Sequence, residues 1–111
     1  MIIKRKNRYV LVMSSKPIEI GLALDSFINE LSKYIGIFGL AELSPYFIKS
    51  INERTFIFRV ARGGERRFIL ALSFIKLNGV AFYSLLTSGT IKSLLRRYRT
   101  TTTSKKMNSK E

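Results

Sequence analysis

The order in which two hydrophobic periods alternate along the chain constrains its fold more than any other feature. Residues 8–15, RYVLVMSS, form a short apolar run of strand type. Pro17 then opens a segment in which Ile20, Leu24, Phe27, Ile28, Leu31 and Ile35 recur at helical spacing up to Gly36, which predicts a helix over 17–35. Two further strand-like runs, 46–51 and 55–61, flank Asn52, Glu53 and Arg54 and predict a hairpin. After Gly63 and Gly64, ERRFILALSFIKLNG predicts a second helix stopped by Asn78 and Gly79, and 80–87 predicts a last strand.

Strand, helix, strand, strand, helix, strand is the split β-α-β pattern. It predicts an α+β, ferredoxin-like (RRM-like) sandwich: a four-stranded antiparallel sheet, first and third strands central, both main helices on one face. A C-terminal helix follows. Ile91, Leu94, Leu95 and Tyr98 fall at i, i+3, i+4 and i+7 on one side of it, and Lys92, Arg96, Arg97 and Arg99 take the other. Residues 1–99 therefore read as one domain with a basic N-terminus, and TTTTSKKMNSKE, 100–111, as a disordered basic tail.

Charge points to the partner. Lys and Arg number 20 against 7 acids, a net charge of +13. Four of the basic residues lie in the first eight positions and seven in 89–111, where Glu111 is the only acid. Such an excess on a small domain implies a polyanion, either nucleic acid or an anionic membrane surface. No apolar run approaches the ~20 residues that span a bilayer, and the charged N-terminus does not read as an export signal, so a cytoplasmic protein is expected. Cysteine and histidine are both absent, which removes the usual zinc ligands and the most available proton shuttle near neutral pH. Glu19, Asp25, Glu30, Glu42, Glu53 and Glu65 are scattered rather than clustered. The chain is not expected to be catalytic alone or to bind a metal of its own.

The 55–61 strand puts Phe56, Phe58 and Val60 on one face and Ile57 and Arg59 on the other. Because burying Arg59 is costly, Phe56 and Phe58 belong under the helices, and the open face is expected to show Ile57 and Arg59 beside Arg8, Val10 and Val12. In the reversed arrangement Tyr9, Phe56 and Phe58 would form a base-stacking platform. Candidate RNA contacts are Lys4, Arg5, Lys6, Arg8, Arg59, Lys92, Arg96, Arg97 and Arg99, since guanidinium and ammonium groups suit phosphate. Ser88 and Thr90 precede the last helix and fit either an N-cap or an anion site. Eight of the ten residues from Phe68 to Leu77 are apolar, so that helix needs cover on more than one side. Phe68, Leu72 and Ile75 are the expected partner interface.

The stretches RYVLV, FIFRVARG and ALSFIKLNGVAFYSLLTSGTIKSLLRRY resemble protein component 2 of archaeal and eukaryal ribonuclease P, which trims the 5′ leader from precursor tRNA; the likeness runs from Arg8 to Tyr98. The resemblance implies a ferredoxin-like subunit of an enzyme whose RNA does the chemistry with bound magnesium. It implies ribonuclease P RNA as a direct partner, precursor tRNA as an indirect one, and protein component 3 in a heterodimer or, through two copies of component 2, a heterotetramer. Another RNA-binding module, such as a ribosomal protein, would fit the same composition. A basic peripheral membrane protein fits less well, because the apolar stripe of the last helix is short and lacks tryptophan.

Overall fold

The computed structural model describes residues 7–109, those beyond Thr100 in backbone only. Its elements are β1 (Asn7–Ser14), α1 (Ile20–Leu43), β2 (Tyr46–Asn52), β3 (Thr55–Ala61), α2 (Glu65–Leu72), β4 (Lys76–Leu77), β5 (Val80–Ser88) and α3 (Ile91–Ser109). The strands pair antiparallel in the order β2-β3-β1-β5-β4. The ferredoxin-like order is thus present, with β1 and β3 central and a fifth strand added at the β5 edge.

That fifth strand corrects the sequence reading of 65–79. Helix α2 ends at Leu72, and Phe74 and Ile75 turn back on the carbonyls of Ala71 and Leu72 at 3.0 and 3.1 Å. Asn78 and Gly79 both take positive φ, 51° and 80°, the pair of left-handed residues that a two-residue hairpin turn requires. They join β4 to β5 instead of stopping a helix.

Helix α1 is longer than predicted for a related reason. Gly36 adopts φ 74° and ψ 173°, breaking the helix, and the chain resumes helical geometry to Leu43. Only glycine takes that conformation without strain. Ser44, left-handed at φ 47°, closes α1 through its N–H on the Leu40 carbonyl. In α3 the backbone stays helical to Ser109, past the boundary read at Arg99.

The sheet is covered on both faces. Under α1 and α2, Val10, Val12, Phe56, Phe58, Val60 and Phe82 pack with Phe27, Leu31, Phe68, Leu72 and Ile75. Phe27 and Phe58 stand 5.1 Å apart between centroids, with Phe82 and Phe68 packed at 5.3 and 5.7 Å from one or other of them. Phe56 and Phe58 are therefore core. Across the sheet, α3 seats Leu94 on Leu11 and Ile57; burying a leucine of this kind contributes about 1.5–3 kcal/mol.

Two expectations about these faces are overturned. Val10 pairs with Phe58 and Val12 with Phe56, and directly opposed residues share a face, so both valines are core and Tyr9 and Leu11 face α3. Phe68, Leu72 and Ile75 are fully buried, so the chain's own α1 and sheet cover them and they present nothing to a partner. The apolar surface lies instead on Leu70 and Phe74, 64% and 59% exposed, beside Tyr34, whose ring stacks on Phe74 at 5.6 Å. Among the described residues no helix is long and apolar enough to cross a membrane.

Candidate nucleic-acid interface

Helix α3 separates its faces as its spacing predicts. Ile91, Leu95 and Tyr98 are half-buried around Leu94, while Lys92, Arg96, Arg97 and Arg99 are exposed. Its first turn is closed by its own residues: Thr90 Oγ1 accepts from the Ser93 N–H at 3.1 Å, and Ser88 Oγ accepts from the Thr90 N–H at 3.4 Å. Thr90 thus acts as the N-cap, and Ser88 holds the turn just before it. At the other end of the sheet face, Asn52 Nδ2 donates to the Tyr98 hydroxyl at 3.2 Å.

Three of the predicted cations come together here. Lys92, Arg96 and Arg99 line one open groove of about 400 Å³ with Leu95 and Thr100. Arg97 projects from the same helix but turns back, donating from NH1 to the Thr87 carbonyl at 2.7 Å.

A second basic cluster sits where β1 begins and β3 and β5 end. Arg8, Arg62, Asn7 and Gly89 line a groove of about 300 Å³. The Arg8 Nε atom is buried and makes no hydrogen bond, yet lies 3.3 Å from Glu65 Oε2 as an ion pair. Partial burial pushes the Glu65 carboxyl up. Hydrogen bonds from its own N–H and that of Gly63, with Arg8 and Arg62 nearby, outweigh this and hold it below the usual carboxylate value of 4.5. Sequence reasoning misses Arg62, although its place between a strand end and the Gly63-Gly64 break marks it as exposed. Arg59 joins neither groove. It lies on the α3 face with its guanidinium carbon 4.8 Å from the Tyr46 ring centroid, whereas Arg8 pairs with Val60 and belongs to the opposite face. Lys4, Arg5 and Lys6 fall outside the described residues.

Among the described residues Glu30, Glu42 and Glu65 stand apart from one another, each against a cation of its own. Lys33 pairs with Glu30 at 2.5 Å and Arg67 with Glu42 at 3.4 Å, both at the surface, while Glu65 serves Arg8. Among the described residues no group of three or more metal-ligating side chains gathers. What the surface supplies is cationic side chains fixed on a packed helix and a sheet end, which suits contact with a phosphate backbone.

A chain in the cryo-EM structure of yeast ribonuclease MRP has the same fold, at 14% identity and a TM-score of 0.62, over 93% of this chain and 98% of that one. No curated protein matches at a significant level. The family model described as the Rpp14/Pop5 family matches residues 8–99, nearly the whole of the folded region. The chain belongs to the Rpp14/Pop5 family of ribonuclease P proteins.

Proposed function

We propose that the chain is protein component 2 of ribonuclease P, an RNA-binding subunit that supports the catalytic RNA in removing the 5′ leader from precursor tRNA. The family match over residues 8–99 carries this reading, and the groove of Lys92, Arg96 and Arg99 on α3 supports it. These cations offset phosphate repulsion where RNA segments approach one another. Cleavage belongs to the RNA, whose own magnesium ions do the chemistry, and this subunit works beside it in the cytoplasm, or in the nucleus of a eukaryote.

Protein component 3 is the proposed protein partner. The apolar surface of Tyr34, Leu70 and Phe74 offers it a seat, because exposed apolar surface marks interaction sites. Precursor-tRNA cleavage is measured with the RNA alone, with component 3 added, and with both proteins. Stimulation that requires both proteins is expected; no stimulation by the pair overturns the reading.

A further inference from the structure

The sheet face that α3 covers is left open at one corner. Tyr46 opposes Arg59, Arg59 opposes Tyr9, and Tyr9 opposes Ser88. Directly opposed residues on neighbouring strands point the same way, so these four form one row across β2, β3, β1 and β5. Helix α3 starts just beyond Ser88 and crosses toward Asn52, where Tyr98 is bonded. It therefore runs away from the Tyr46 end of the row. Tyr46 remains 57% exposed, and among the described residues its hydroxyl has no hydrogen-bond partner and no acid neutralises Arg59.

We propose that the Tyr46–Arg59 pair is a stacking shelf for one unpaired RNA base, with Arg59 holding the adjoining phosphate. This deepens the RNA-binding function proposed above and rests on it. The occupant follows from the chemistry of the pair. A tyrosine ring with one face against a guanidinium keeps its other face for a second planar group. An arginine without an acid on a chain of net charge +13 favours an anion. A nucleotide supplies both a flat ring and a phosphate. The base must be unpaired, because in a duplex its faces are stacked on its neighbours.

The chain has no tryptophan, so Tyr46→Trp introduces a single reporter. Its fluorescence is followed as a short oligouridylate is added, and again with a blunt RNA duplex of the same length. Binding of the oligouridylate is also measured against salt for the wild type, Tyr46→Leu, Tyr46→Phe and Arg59→Gln, with thermal melts alongside. The expected result is quenching by the single strand and not by the duplex. Tyr46→Leu should weaken binding about tenfold or more with an unchanged salt slope, and Tyr46→Phe should bind like the wild type. Arg59→Gln should weaken binding and flatten the slope. If Tyr46→Leu binds as tightly as the wild type and the tryptophan is unquenched, the shelf is refuted while RNA binding stands. If the wild type binds neither RNA, the functional proposal itself fails and the shelf with it.

Discussion

Arg97 donates to the carbonyl oxygen of Thr87 at 2.7 Å, so a cation read from sequence as facing phosphate also ties the last helix to the strand that leads into it. Arg96 and Arg99, its neighbours on α3, point into the open groove with Lys92. Four like charges on one helix thus divide between a structural contact and a free surface, and substitution can separate the two.

Changing Lys92, Arg96 and Arg99 together to Gln should leave the melting temperature nearly unaltered, since all three are exposed. RNA affinity should fall, and the slope of log affinity against log salt should flatten by roughly 0.7–0.9 for each phosphate no longer neutralised. Arg97→Gln should in addition lower stability by about 0.5–1 kcal/mol, the net worth of one hydrogen bond. Melts and salt titrations of the two variants check this. An unchanged slope in the triple variant would reduce the groove to a solvated face.

Leu94→Ala should cost about 2–5 kcal/mol, because Leu94 is fully buried against Leu11 and Ile57. Leu95→Ala, at a half-buried position, should cost less. Chemical denaturation of both measures the difference. Equal costs would mean that α3 sits on the sheet in a different rotation.

What is legible in the sequence follows from where polar and apolar residues separate cleanly. The α3 stripe is readable because Lys92, Arg96, Arg97 and Arg99 leave no doubt about its outer side. On β3, Arg59 does the same for Phe56 and Phe58. On β1 the core-facing Val10 and Val12 alternate with the equally apolar Leu11, and only the register with β3 decides which face is which. The Phe68–Leu77 run misleads in a similar way: a nearly all-apolar segment has no usable period, and the Asn78-Gly79 hairpin turn looks like a helix end. Arg62 and the exposed Tyr46 acquire meaning only when separate strand ends are brought together. No spacing in the sequence could signal that.

The exposed apolar face on α1 and α2 should drive association. Leu70→Ser with Phe74→Ser should raise solubility and suppress self-association in sedimentation with little loss of stability, because both side chains lie mostly in water. Phe68→Ser, two residues before Leu70 on the other side of α2 and fully buried, should instead unfold the domain. If the double variant still associates, the contact lies elsewhere.

Gly36 and Gly79 hold φ 74° and 80° with nothing within 4 Å of a would-be Cβ, so alanine there meets backbone strain and no clash. Each Gly→Ala change should cost roughly 1–3 kcal/mol. Gly21→Ala, which also meets open space but lies in regular helix, should be neutral or stabilising. Thermal melts of the three variants test the assignment; similar melts for all three would contradict it.

Glu65 links the fold to pH. Its folded carboxyl titrates below the usual 4.5, so its contribution is fully present above that value and is lost as pH falls through the lowered one. In Glu65→Gln the amide oxygen can still accept from the Gly63 N–H, but the attraction to Arg8 and Arg62 is gone. The variant should be less stable than the wild type at neutral pH, and the gap should close as pH drops below about 4.5. Taking the difference between the two proteins cancels the other carboxylates that titrate in the same range. The part of the gap owed to the arginines should shrink at high salt, because the Arg8–Glu65 pair is only partly buried, at 34% and 24% side-chain exposure. Urea denaturation of both proteins across this pH range, at low and high salt, supplies the test. Curves that stay parallel at every pH would show that Glu65 carries no folded-state shift and that its hydrogen bond to Gly63 is as strong with a neutral acceptor.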